Sequence, residues 1–63
     1  MITERQVKIL ALVAEGMTND QIAAELSLST GSVKRALKRV YAQLEANDRS
    51  HAVLLALRAG VIE

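Results

Sequence analysis

The sequence predicts an all-α domain of four helices. The chain has no proline, almost no aromatic residues, and an excess of Ala and Leu, a composition that favours helix. Helix-start signals recur four times along it. Between them, apolar residues repeat at three- and four-residue spacing, the period of a helix with one buried face.

Helix 1 is predicted over residues 4–15. Thr3 is placed to cap it, and the apolar pair Ile2 and Val7 flanks the cap as a hydrophobic staple. Gln6, at the third helical position, completes a capping box. Ile9, Leu10, Val13 and Ala14 form the inward face. Gly16 suits the left-handed position that ends a helix, with Met17 as the apolar residue that accompanies such a stop.

Helix 2 is predicted over 19–26. Thr18 caps it, Met17 and Ile22 form the staple, and Gln21 completes a second capping box. Ile22, Ala23 and Leu26 face inward. Ala23 is small where helices 2 and 3 are expected to cross, and a bulkier residue there would push the axes apart. No glycine marks the end of this helix. Leu28, in the short link that follows, is expected to plug the gap between the two helices.

Helix 3 is predicted over 30–44. Leu28, Ser29 and Val33 repeat the staple-and-cap pattern. Val33, Leu37, Val40 and Leu44 lie on one stripe with Tyr41 beside it. Helix 4 is predicted over 49–59. Asp48 caps it, and its charge suits a helix N-terminus. Ala52, Val53, Ala56 and Ala59 face inward, and Gly60 with Val61 provides the stop.

At 63 residues the whole chain, 1–63, reads as one domain. A domain near this size buries only about 60% of the surface its unfolded chain exposes. There is no Cys, and the lone His51 cannot build a zinc site alone. Stability must come from packed helices, with or without a partner. No apolar run is long enough for a bilayer and no secretory leader pattern is present, so the expected compartment is the cytoplasm and no membrane partner is expected. Nothing resembles a catalytic triad, a metal cluster, a glycine-rich phosphate loop or a substrate cleft. The reading is a non-enzyme without metal or cofactor.

Net charge is only +1, but its distribution is uneven. No Asp or Glu falls between Ser29 and Leu44, whereas Lys34, Arg35, Lys38 and Arg39 all do. A short helix, a tight link and a basic helix form the layout of a helix-turn-helix, whose second helix fits the DNA major groove. Gly31, Lys34, Arg35 and Lys38 fall on the side of helix 3 away from the apolar stripe, with Arg39 at its margin. Long basic side chains there reach phosphates and the O6/N7 edge of guanine. Gly31 permits close backbone approach, and Thr30 and Ser32 offer hydroxyls to phosphate. Thr18 and Asn19, at the start of helix 2, are placed to hold a phosphate on free helix N–H groups. A solvated basic face is the plainer reading of the charge alone.

With those residues in view, the chain resembles the LuxR-type (LuxR/FixJ) helix-turn-helix domain of bacterial transcription regulators. The likeness runs from Ile2 to Ile62. It rests on Thr3 to Arg5, Ile9–Leu10, Ala14–Glu15–Gly16, Thr18–Asn19, Gln21–Ile22–Ala23, Leu26, Leu28–Ser29, Ser32–Val33–Lys34, Leu44, Asp48–Arg49, Ala52–Val53, Ala56 and Gly60–Val61–Ile62. The resemblance implies a third helix in the major groove and a fourth helix in dimer contact. It implies that Lys34, Arg35 and Lys38 reach bases and that Thr18, Asn19 and Ser32 hold backbone. The chain departs from the pattern in three places. Gln6 and Lys8 stand where Glu is usual, Ala36 where His is common, and Gln43 to Ala46 where Lys-Leu-Gly-Val is usual, so helix 3 lacks its glycine stop and is expected to run on or to turn differently. Larger members carry a sensing domain ahead of this module; from the residues alone, an excised segment and a stand-alone regulator both stay open.

Helix 4 is apolar nearly all round. Leu54 and Leu57 point away from its core face, with Arg58 between, and suggest a contact patch. A two-fold dimer through it would set two basic helices ~10 bp apart on DNA. The bland alternative tucks one leucine under the Ala46–Asp48 link. Arg49 is expected to pair with Glu45 or Asp48 rather than to touch phosphate, and His51 to face solvent. Two function classes follow: a sequence-specific double-stranded DNA-binding transcription regulator, or a protein-interaction module. The second resembles the helix-turn-helix of a sigma factor's fourth region, docking on RNA polymerase or another regulator through Leu54 and Leu57.

Overall fold

The computed structural model describes residues 2–63. It contains four helices in order: α1 (Glu4–Ala14), α2 (Asn19–Leu26), α3 (Thr30–Leu44) and α4 (Arg49–Arg58). The described residues contain no strand. Every start is a side-chain cap. The oxygens of Thr3, Thr18, Ser29 and Asp48 each accept the backbone N–H three residues on. At Thr3 and Thr18 the box closes reciprocally, with Gln6 Oε1 accepting the Thr3 N–H at 2.9 Å and Gln21 Oε1 accepting the Thr18 N–H at 2.8 Å. Six backbone donors that the helices would otherwise leave unsatisfied are therefore bound within the chain.

The stops are alike in a way the residue types conceal. Gly16, Ser27, Glu45 and Gly60 all have positive φ, at 89°, 57°, 57° and 72°. In each case the next residue sends its N–H five residues back: Met17 to Leu12, Leu28 to Ala23, Ala46 to Tyr41 and Val61 to Ala56. That is the Schellman arrangement four times over. The missing glycine after Leu44 does not let α3 run on. Glu45 takes the left-handed conformation itself, and α3 ends at Leu44, the boundary predicted from its start and periodicity.

The core has two lobes strung along α1 and α3. Ile9, Val13, Ile22, Ala23, Val33 and Leu37 form one, sealed by Leu26 and by Leu28 from the link. Leu10, Val40, Ala52, Ala56 and Ile62 form the other. Tyr41 and Val53 pack against both. Because α3 contributes to both lobes, its opposite face has no protein left to pack on. That face, with Lys34, Arg35, Lys38 and Arg39, is left exposed.

Two alanines predicted to face inward do not. Ala14 is exposed: it is the last residue of α1 and sits at the rim of an open concavity beside Ser50 and Val53. Ala59 is exposed too. It follows the last helical residue, and Ile62 folds back to close that end of the core in its place. Gln6 goes the other way and is buried to 8% exposure beneath the α1 cap.

Candidate nucleic-acid interface

Lys34, Arg35, Lys38 and Arg39 are all exposed, as is Gly31. They lie not on one stripe but on two ridges, each spaced by four residues. Lys34 and Lys38 border concavities shared with Asn19 and Arg49. Arg35 and Arg39 border a different cleft, shared with Thr3 and Arg5 of the α1 region. By angle around α3 alone Arg35 falls with the lysines, but residue spacing within α3 does not encode which neighbouring helix each ridge faces.

On the lysine side, the start of α2 presents a row of donors. The caps consume the N–H groups of Thr18 and Gln21, which leaves those of Asn19 and Asp20 without an intrahelical partner. Thr18 Oγ1 accepts from Gln21 and keeps its own proton. Asn19 is fixed by a contact from α4, 30 residues away in sequence, that residue spacing does not signal. Arg49 Nη1 donates to Asn19 Oδ1 at 2.8 Å, and Arg49 Nη2 donates to the Met17 carbonyl at 2.5 Å. A guanidinium has no acceptor, so it must meet the amide oxygen. Asn19 itself lines the concavity that Thr18 and Lys34 border, and the Arg49 bond uses its Oδ1 rather than its NH₂. The expected pairing of Arg49 with Glu45 or Asp48 is not formed. The first turn of α4 faces the α1–α2 corner, and the guanidinium reaches the carbonyl there.

Thr30 also differs from expectation. Its Oγ1 donates to Asp20 Oδ1 at 2.7 Å, a clip between α2 and α3. A hydroxyl has one proton, and in this arrangement Asp20 takes it rather than a phosphate. Ser32 Oγ accepts from Ser29 Oγ at 3.0 Å and from Arg35 Nη2 at 3.3 Å, so its own proton stays free to donate. Gly31 is open: a Cβ built there would meet only Arg35 Nη1 at 3.4 Å and Ser29 Oγ at 3.9 Å.

His51 is not a freely solvated side chain. It is half-buried and its Nδ1 accepts the Asn47 N–H at 3.0 Å, while the His51 backbone N–H donates to Asp48 Oδ1 at 2.8 Å. This helps to secure the α3–α4 link. On α4, Leu54 and Leu57 are 43% and 45% exposed, and neither is tucked under that link. Arg58 is exposed beside them. Among the described residues no group of His, Asp or Glu is placed to hold a metal, and no helix is long and apolar enough to cross a membrane.

A short helix, a three-residue turn and a longer basic helix, locked by Ser29, Leu28 and the Asp20–Thr30 clip, define a helix-turn-helix domain. The family model for bacterial regulatory proteins of the luxR family matches residues 1–56, and the chain belongs to that family. Along its full length it is 35% identical to the response regulator protein VraR of Staphylococcus aureus, Staphylococcus saprophyticus and Staphylococcus epidermidis. It spans only 30% of those relatives. Its fold matches the crystal structure of the response regulator ChrA of a heme-sensing two-component system with a TM-score of 0.95. That match, at 31% identity, covers 98% of this chain and 31% of the other. The family and the all-helical architecture expected from the residues are thus both established.

Proposed function

We propose that the chain binds double-stranded DNA sequence-specifically and regulates transcription, with α3 lying in the major groove. The carrying observation is the unpacked basic face of α3, flanked by the donor row at the start of α2. Lys34, Lys38 and Arg35 reach base edges near the groove floor. The Asn19 NH₂, the Thr18 hydroxyl and the free N–H groups of α2 hold one phosphate strand, while Ser32 and Arg39 serve the backbone from α3. Gly31 lets the chain approach closely. Thr30 contributes chiefly by holding α2 to α3. Contacts to phosphate position the domain, and contacts to bases give it specificity.

A two-fold dimer through Leu54, Leu57 and Arg58 of α4 completes the reading. Two exposed leucines on a domain of this size favour a second copy over solvent. Such a dimer would read two half-sites about one helical turn apart.

The deciding experiment selects bound sites from random duplex DNA and then measures affinity against salt. Lys34→Ala and Lys38→Ala are expected to weaken binding and, where a side chain reads a base, to lose about 1–3 kcal/mol of discrimination. Both should leave the helical signal intact, because both side chains are exposed. If neither changes affinity or site preference, α3 is not the reading element.

A further inference from the structure

The outer side of α1 and the α2–α3 link enclose a groove that none of the proposed DNA contacts uses. Its volume is about 310 Å³, and Glu4, Arg5, Lys8, Leu26 and Leu28 line it. The two leucines make the floor. Both pack on the first core lobe from outside and both stay half-buried, so apolar surface remains open in the groove. Glu4, Arg5 and Lys8 are exposed and stand along α1 as the rim. The groove shares no residue with the concavities that Lys34 and Lys38 border, nor with the exposed leucines of α4.

The rim carries positive charge that the fold does not spend. Among the described residues neither Arg5 nor Lys8 pairs with a carboxylate. Glu4 and Lys8 are one turn apart, the spacing of a helix ion pair, yet they form none. Glu25, next to Leu26, does not border the groove. Lys8 is also one of the chain's departures from the luxR-family pattern. With Glu at that position the rim would be net negative instead of net positive. An apolar centre inside a charged margin is the anatomy of a protein interface. A phosphate group would engage the rim and leave the leucine floor wet. A purely aliphatic group would cover the floor and leave both cations unmatched. A peptide segment with a large apolar side chain and a neighbouring Asp or Glu meets both demands at once.

We propose that this groove docks a partner protein through such an acidic, apolar segment. The segment's apolar side chain covers Leu26 and Leu28, and its carboxylate lies against Lys8 and Arg5. Glu4 sets the direction: it repels a carboxylate at the N-terminal end of α1, so the acidic residue lies toward Lys8. Docking occupies none of the residues assigned to DNA, so the segment and a duplex bind the domain at the same time. The docking itself does not depend on where α3 lies.

The test selects binders to the full chain from a random linear peptide library and then measures the enriched peptides as synthetic compounds. They are expected to combine Leu, Ile or Phe with Asp or Glu a few residues away, and to shift the Leu26 and Leu28 methyl resonances. Lys8→Glu should weaken them by about fivefold or more at low salt, because an exposed ion pair contributes up to about fivefold and the substitution adds repulsion. Lys8 is exposed on α1 and Glu is a good helix former, so this variant keeps the fold. Glu4→Gln should keep or raise peptide affinity, and Lys34→Ala should leave it unchanged. The docking groove is overturned if no peptide enriches, if the enriched peptides show no acidic bias, or if they bind Lys8→Glu as tightly as the parent. Shifts confined to Leu54 and Leu57 would overturn it too. If a random-sequence duplex releases the bound peptide, the groove belongs to nucleic acid and protein docking is again overturned. The selection contains no DNA, so its failure leaves the DNA-binding reading untouched.

Discussion

Arg49→Ala removes a single side chain that links α4 to the start of α2. The guanidinium makes two hydrogen bonds, to Asn19 Oδ1 at 2.8 Å and to the Met17 carbonyl at 2.5 Å. Hydrogen bonds involving a charged group contribute about 1.5–3 kcal/mol each when shielded. Arg49 is half-buried, so water compensates part of that loss and roughly 1 kcal/mol per bond is the better figure. The variant should be less stable by about 2 kcal/mol. For a domain of 60–100 residues this lowers Tm by roughly 8–16 °C, read by circular dichroism. A single ammonium cannot span both acceptors, so Arg49→Lys should fall between parent and alanine. The functional consequence is separate. Without Arg49 the Asn19 amide loses its fixed orientation, and DNA affinity should fall even at temperatures where the variant is fully folded. A double-mutant cycle with Asn19→Ala should show a coupling energy of at least about 0.5 kcal/mol. A Tm within about 2 °C of the parent, together with additive effects in the cycle, would refute the claim that this guanidinium ties the two helices.

Other expectations follow from single positions. Gly31→Ala should stabilise the free domain by about 0.5–1 kcal/mol through helix propensity, since a methyl there meets only the flexible end of Arg35; it should nonetheless weaken DNA binding, and equal or better affinity would show that no backbone approaches Gly31 closely. Glu45→Gly relieves a left-handed residue at φ 57°, worth about 1–2 kcal/mol, against about 0.4–1 kcal/mol of added unfolded-state entropy; chemical denaturation should show a net gain of about 0.5 kcal/mol, and a loss would mean that the Glu45 side chain contributes contacts of its own. Changing Leu54 and Leu57 together to Ser should abolish self-association in sedimentation experiments and leave thermal stability nearly unchanged, because both are exposed; a parent protein that stays monomeric with and without operator DNA would remove the proposed dimer.

What the residues alone determined is local. Thr3, Thr18, Ser29 and Asp48 were legible as helix starts because a cap binds a donor three residues away. Gly16 and Gly60 were legible as stops because glycine adopts positive φ without penalty. The alternation of Val33, Leu37 and Val40 with Lys34, Arg35 and Lys38 likewise divided α3 into buried and open sides. The tertiary structure decided everything that joins distant parts of the chain. Ser27 and Glu45 take the left-handed stop because the packed chain must turn there, not because their side chains prefer it. Arg49 reaches back to Met17 and Asn19, Thr30 gives its proton to Asp20, and Arg5 meets Arg35 and Arg39 across a cleft. Each of these pairings depends on how the helices are placed against one another in the packed fold, and residue spacing within one helix carries no information about the helix beside it.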